Sequence, residues 1–359
     1  MKVVAVIMAG GKGERFWPRS RRNMPKQFLS LTDDGKTMIQ LTVERIKPLV
    51  TIEDVFIVTN KDYKALVKEQ LPSLPEENII LEPMAKNTAP CIGLASMYIK
   101  KKYEDAVMVV LPSDHLIKFN GIFVNTLKDA IEVAEQKNNI VTIGITPTYP
   151  ETGYGYINFG KEKENTKNNN VYEVERFVEK PNIELAKEYL FSGKFLWNSG
   201  MFVWKASTIL AQFQHFLPDM YQGLIEIEET IGTEEEESTL ERKFHDFTPV
   251  SIDFGIMEKA EDIYTIPGSF GWDDVGSWLA LERFNKTNDN GNVIQGNVIS
   301  IETKNSIIQG SKKLIATVGI DNLIVVDTDD ALLICEKENA QDIKRVLENL
   351  KICNRVEYL

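Results

Sequence analysis

The segment Gly10-Gly11-Lys12-Gly13-Glu14-Arg15 follows directly on the apolar run Val3–Ala9. Glycines let a backbone approach a phosphate closely and turn its N–H groups toward the oxygens. The loop is not a P-loop, because no Gly-Lys-Ser/Thr closes it. It is a poor dinucleotide fingerprint, because Phe16 stands where a third glycine would. From Lys12 to Lys26, six bases (Lys12, Arg15, Arg19, Arg21, Arg22, Lys26) stand against one acid, Glu14. That is a local charge of +5 in a chain whose net charge is −12. Such a patch is either a solvated basic loop or the seat of a small anion. Arg15 and Lys26 beside the glycines favour a phosphate. Glu14 is expected to point away from it or to pair with a nearby arginine.

Acids farther along the chain suit the same chemistry. Asp114 lies just past the run Ala106–Pro112, and open α/β sheets bind ligands beyond the carboxyl ends of their strands. A turn or helix-cap role is the alternative. Asp273 and Asp274 occupy the Gly/Trp-rich stretch GWDDVGSW. One carboxylate from each place would clamp a Mg²⁺ on a triphosphate, since that ion takes few protein carboxylates and fills its shell with phosphate oxygens and water. Asn198 offers a donor and an acceptor to hydroxyls, although Asn-Ser-Gly is also ordinary turn chemistry. His115, His215 and His245 are scattered, and Cys91, Cys335 and Cys353 have no ligand spacing. A zinc site and a disulfide framework are therefore not expected, and the protein is expected to be cytoplasmic. The acidic balance argues against a nucleic-acid surface. No apolar stretch of about 18 residues is present, so no membrane span is expected. The N-terminal run reads as a buried strand rather than a signal peptide.

The elements that must position these groups follow from the pattern. Apolar β-rich runs at Val3–Ala9, Asp54–Thr59, Ala106–Pro112 and Asn139–Ile145 alternate with helical patterns at Thr37–Val50, Lys61–Leu71 and Phe123–Gln136. This predicts an α/β fold with a mostly parallel sheet covered on both faces. From about residue 150, GYGYINF and VYEVERFVEKP alternate like antiparallel or edge strands, with a turn near Asn165–Asn170. A long helical stretch is expected between Ser207 and Phe247. After residue 286, short strands with frequent turns predict a small β-solenoid or β-sandwich, closed by a helix at ENAQDIKRVLENLK. The domains are read as 1–285 and 286–359.

The segment IMAGGKGERFWPRSRRNMPKQFL resembles the signature of the sugar-phosphate nucleotidylyltransferases, and most closely their mannose-1-phosphate guanylyltransferase branch. EPMAKNTAP, LPSDH, PETGYGYI, FVEKP, LWNSGMFVW, SIDFGIMEK and GWDDVGSW follow in the family's order. The resemblance implies a Rossmann-like, GT-A-like domain and a short left-handed C-terminal β-helix used for self-association as a homodimer. It implies transfer of GMP from GTP to mannose 1-phosphate, giving GDP-mannose and pyrophosphate. Arg15, Lys26, Asp114 and Asp274 would be catalytic, with Mg²⁺ on Asp114 and Asp274. Nucleotide contacts would come from Ala9, Gly10, Gly11, Gly13, Glu82, Asn87 and Thr88. For Glu82, reading the guanine edge and beginning a turn before Pro83 both stay open. Gly153, Glu179, Lys180 and Asn198 would hold the sugar phosphate. The chain departs from the commoner pattern at Glu14, where many relatives carry a small hydroxyl residue, and at Phe16, where they carry leucine. Two rivals stand beside this reading: the same chemistry on another sugar or nucleotide, and a regulatory subunit that binds nucleotide sugar without catalysis. The second requires lost motif residues, and Arg15, Lys26, Asp114, Lys180 and Asp274 are all present.

Overall fold

A computed structural model describes residues 1–32 and 34–359. The chain divides into two compact, interleaved units. The first comprises Met1–Gly10, Val43–Ser113 and Ile117–Trp272, and the second Gly11–Thr42, Asp114–Leu116 and Asp273–Leu359.

The strands are β1 (Lys2–Met8), β2 (Val55–Asn60), β3 (Ile79–Glu82), β4 (Ala106–Pro112), β5 (Leu116–Ile117), β6 (Ile140–Ile145), β7 (Tyr156–Asn165), β8 (Asn170–Val178), β9 (Phe195–Lys205), β10 (Ile263–Gly268) and β11 (Trp272–Asp273). Nine of them form one sheet in the order β3-β2-β1-β4-β9-β6-β10-β8-β7. The β3-β2-β1-β4 run is parallel, as is β6-β10. Strand β9 enters antiparallel between β4 and β6, and β8 and β7 close the edge as an antiparallel pair. The class is α/β with a parallel-rich sheet. The parallel strands are buried nearly throughout, as continuous apolar runs require when helices cover both faces.

The helices are α1 (Met38–Ile46), α2 (Lys64–Gln70), α3 (Thr88–Lys102), α4 (Asn120–Glu135), α5 (Ile183–Ser192), α6 (Ala206–Phe216), α7 (Pro218–Thr230), α8 (Glu236–Asp246), α9 (Leu281–Phe284) and α10 (Ile343–Ile352). The stretch expected as one long helix is three, α6 to α8. Pro218 at the first turn of α7 begins a new helix, because a proline in a helix interior would lack its N–H and clash. Among the elements that the sequence reading missed are β3 and α3. Helix α3 is buried around most of its circumference, so it carries little amphipathic signal. Its Gly93 faces α6 and α7 so closely that a β-carbon there would stand 2.6 Å from Leu224 Cδ1. No helix among the described residues is long and apolar enough to cross a membrane.

In the second unit the C-terminal strands are β12 (Val293–Gln295), β13 (Val298–Ile301), β14 (Ile307–Gln309), β15 (Ile315–Val318), β16 (Leu323–Asp327) and β17 (Leu332–Glu336). Parallel pairing runs β12-β14-β16 and β13-β15, and only β17 returns antiparallel. Stacked parallel rungs are solenoid geometry, whereas a sandwich is antiparallel. Like residues stack from rung to rung: Gln309 Nε2 donates to Gln295 Oε1 at 2.7 Å, and the Thr303 and Thr317 hydroxyls bond at 2.9 Å. The core of this unit gathers Phe16, Trp17, Trp278, Ile307, Ile324, Ile343 and Leu347.

Candidate active site

Residues singled out in the sequence gather in both units. In the second unit, Lys12, Arg15, Lys26, Asp114 and Asp274 line one cavity of about 350 Å³. Lys26 organises it. Its ammonium donates to the carbonyl oxygens of Asp274 at 2.8 Å and Val275 at 2.9 Å, and pairs with Asp114 Oδ2 at 2.7 Å. A buried lysine is tolerable only with its donors engaged and its charge paired, and all three donors are used here. Gly13 makes the close approach possible. It has φ 61°, and a β-carbon there would fall 2.2 Å from Lys26 Cβ. Phe16 anchors the loop behind it, packed on Trp278 with ring centroids 5.0 Å apart. This explains an aromatic where a dinucleotide loop has glycine.

The two neighbouring acids at 273 and 274 have different jobs. Asp273 is buried, accepts the Val275 N–H at 2.8 Å and pairs with Arg283. Asp274 lines the cavity and accepts from Gly276 N–H at 3.1 Å. Val275, directly after them, holds φ 51°, a region a β-branched residue occupies only when its surroundings impose it. The bonds from Val275 N–H to Asp273 and from Lys26 to Val275 O supply that constraint.

The cavity's electrostatics follow from its charges. Burial pushes the Asp114 carboxyl up, but the Lys26 ammonium and His115 outweigh it, so Asp114 titrates below its ordinary value. Burial lowers His115 more than the surrounding acids raise it, which keeps the imidazole neutral near pH 7. Arg15 reaches Gly276 O only at 3.5 Å, and its buried Nε has no partner. An unpaired buried donor costs about 1–3 kcal/mol, and an anion would satisfy it.

The rest of the basic patch divides by role. Arg19 donates to Gln309 Oε1 at 3.0 Å. Arg21 donates to Tyr358 O at 2.8 Å and pairs with Asp330. Both brace the loop within its unit. Glu14, expected to point away or to pair with an arginine, forms no ion pair with an arginine among the described residues. It lines the same cavity and also a smaller one of about 160 Å³, beside Arg21 and Arg22.

In the first unit, the end of β1 is fixed by Ala9, whose N–H donates to Val58 O at 2.7 Å and whose carbonyl accepts from Thr59 Oγ1 at 2.9 Å. Glu82, the last residue of β3, is 5% exposed, and its Oε1 has no partner. A β-carbon on Gly10 would lie 3.3 Å from its Oε2. Burial raises the Glu82 carboxyl to about 8. Asn87 and Thr88 begin α3. Asn87 caps it by accepting from Thr88 N–H at 2.9 Å, and Thr88 Oγ1 accepts from Ile252 N–H at 2.8 Å.

A second polar group lies around β9 in the same unit. Asn198 Nδ2 donates to Asp253 Oδ1 at 2.6 Å, and Asn198 N–H donates to Gly155 O at 2.8 Å. Gly155 approaches Glu179 so closely that a β-carbon would meet its Oε2 at 2.8 Å. Gly153, by contrast, is exposed and donates its N–H to Glu151 Oε1 at 2.7 Å. Lys180 is exposed, pairs with Glu179 and has φ 41°. The sequence reading missed Asp253 and Gly155. Asp253 is an acid within the otherwise apolar run IDFGIM, and that is the signal that marks it. Burial and the nearby Glu179 raise its carboxyl, against the Asn198 bond that lowers it.

Residues 4–290 match the nucleotidyl transferase family model, and residues 296–350 match a MannoseP isomerase/GMP-like beta-helix domain. The chain is 39% identical over 365 residues to mannose-1-phosphate guanylyltransferase 2 of Escherichia coli O157:H7, covering 99% of this chain and 75% of that one. It is 40% identical over 364 residues to a putative mannose-1-phosphate guanylyltransferase of Vibrio cholerae, covering 99% and 76%. Its structure is similar to the crystal structure described as a mannose-1-phosphate geranyltransferase from Thermus thermophilus. That similarity has a TM-score of 0.87 at 33% identity and covers 98% of this chain and all of the other. With a family match across most of its length and relatives similar from end to end, the chain belongs to the nucleotidyl transferase family.

Proposed function

We propose that this protein is a mannose-1-phosphate guanylyltransferase, transferring GMP from GTP to α-D-mannose 1-phosphate and releasing pyrophosphate. The observation that carries this is the set Arg15, Lys26, Asp114 and Asp274 gathered on one cavity, in a chain similar over its full length to proteins of that name. A phosphate oxygen of mannose 1-phosphate forms a bond to the α-phosphorus of GTP. The bond from that phosphorus to the bridging oxygen breaks, and the electron pair leaves with pyrophosphate. The attacking phosphate is already anionic near neutral pH, so no general base is needed. Positioning and charge stabilisation are the catalysis.

Backbone N–H groups of Gly10, Gly11 and Gly13, with Arg15, bind the triphosphate and the leaving pyrophosphate, while Lys26, its three donors held by Asp114 and two carbonyls, adds its positive charge to the cavity. Asp114 and Asp274 suit Mg²⁺. They are two oxygen donors on one cavity, and no group of three or more potential ligands exists among the described residues, so phosphate oxygens and water would complete the shell. The ion, when bound, neutralises charge on the phosphate oxygens. Glu82, beside Gly10, accepts the N1–H and N2–H of guanine, with Ala9, Asn87 and Thr88 at the nucleotide. Lys180 orients the sugar phosphate, while Gly153, Glu179 and Asn198 serve its hydroxyls. Division into a 1–285 catalytic domain and a 286–359 β domain, homodimerisation and a cytoplasmic location belong to the same proposal.

The test is pyrophosphate release by the purified protein across a panel of nucleoside triphosphates and sugar 1-phosphates with Mg²⁺. GTP with mannose 1-phosphate is expected to give the highest kcat/KM. A higher value for another pair reassigns the substrates, and no release from any pair defeats the reading.

A further inference from the structure

We propose that Lys344, on the C-terminal helix α10, is a further cation of the triphosphate cavity and contacts the terminal phosphates of the nucleotide and the pyrophosphate that leaves. The inference rests on the nucleotidyl-transfer reading above. Lys344 lines the same cavity as Arg15, Lys26, Asp114 and Asp274, yet it lies in the segment matched by the beta-helix domain, outside the nucleotidyl transferase match.

Its place is set by packing. Ile343 and Leu347, one helical turn apart, are buried in the core cluster that contains Phe16 of the phosphate loop and Trp278. Those two anchors fix the rotation of α10, and Lys344 follows Ile343 on the flank that lines the cavity.

The charges of the cavity leave it a role. Lys26 commits its three donors to Asp114 and two carbonyls. Arg19 and Arg21 are committed to bracing the loop. Lys344 is exposed and makes no ion pair or hydrogen bond among the described residues. The acids Glu14, Asp114 and Asp274 line the same space. Lys12, Arg15 and the paired Lys26 only match these three acids, so the several negative charges of a triphosphate leave a deficit of positive charge. A flexible lysine stem delivers a compact charge to such a site at little cost in folding. The neighbouring Arg345 does not line the cavity and lies 3.9 Å from Asp342 on the helix surface.

The experiment is titration calorimetry of inorganic pyrophosphate into the full-length wild type, K344A, K344R and R345A, together with steady-state kinetics. K344A is expected to weaken pyrophosphate binding roughly 5- to 10-fold and to raise KM for GTP similarly, with a shallower salt dependence. KM for mannose 1-phosphate should stay within about twofold. K344R should recover most of the loss, and R345A should match the wild type. Pyrophosphate affinity of K344A within twofold of wild type, or no pyrophosphate binding by the wild type, overturns the proposal. Because the titration involves neither GTP nor mannose 1-phosphate, failure of the substrate assignment leaves this outcome legible on its own.

Discussion

Glu82 shows how one buried carboxyl can serve binding at the expense of stability. The unfolded chain releases its proton near 4.5 and the folded chain near 8. Between those values the folded state holds the extra proton, so this group's contribution to stability falls as pH rises, by up to about 1.4 kcal/mol per unit. The contribution is fully present below about 4.5 and lost by the upper end of the window. E82Q removes the titration. In urea denaturation it should match the wild type near pH 4.5 and exceed it at pH 8, and an equal pH slope in both proteins would refute the assignment. If Glu82 gives up its proton on nucleotide binding and accepts guanine N–H donors as a carboxylate, the same variant should lose about 10- to 100-fold in kcat/KM for GTP, since one acceptor oxygen becomes a donor facing donors. Its presence before Pro83 was legible in the sequence. Its burial and its unpartnered oxygen were not, because they come from Gly10 and the core around β3 rather than from its own neighbours in the chain.

At the scale of elements, the readable parts were those with a strong local period. Strand β4 was delimited as Ala106–Pro112 from its unbroken apolar run, and β7 and β8 were recognised, without their bounds, from alternation. Helix α3 was missed because its burial on nearly all sides erases the polar stripe. Its small residues make sense only against α6 and α7, and Gly93 tests this. G93A forces a methyl toward Leu224 Cδ1, at 2.6 Å, and Phe213, at 3.2 Å. The expected cost is about 1–3 kcal/mol by chemical denaturation, despite alanine's better helix propensity. A neutral or stabilising result would mean that the three helices can separate without loss.

Across the whole molecule, the second unit carries an apolar face that its own core does not cover. Ile299 and Ile301 of β13 are 51% and 54% exposed, and Val318 of β15, paired with Ile301, is 65% exposed. A sheet face of this kind on a parallel solenoid is a liability for an isolated chain. The proposed homodimer accounts for it if the face is buried between copies. Light scattering at micromolar concentration should then give twice the 40.8 kDa chain mass. I301D with V318D should shift the mass to the monomer with the fold retained by circular dichroism. A dimeric double variant would move the interface elsewhere on the molecule.

From the sequence alone came the glycine-rich, basic character of the loop at Gly10–Arg15, the family resemblance through its ordered motifs, the parallel strands and the β character after residue 286. These rest on local composition, spacing and period. Tertiary structure alone decided which charges meet. Lys26 bonds to the carbonyl of Asp274 across 248 residues of chain, Asp273 turns to Arg283 while Asp274 lines the cavity, and Arg19 and Arg21 leave the patch to brace the solenoid. A loop's charges can be counted in sequence. Their partners are chosen by the packing of distant segments, where burial makes an unpaired charge too costly to leave alone.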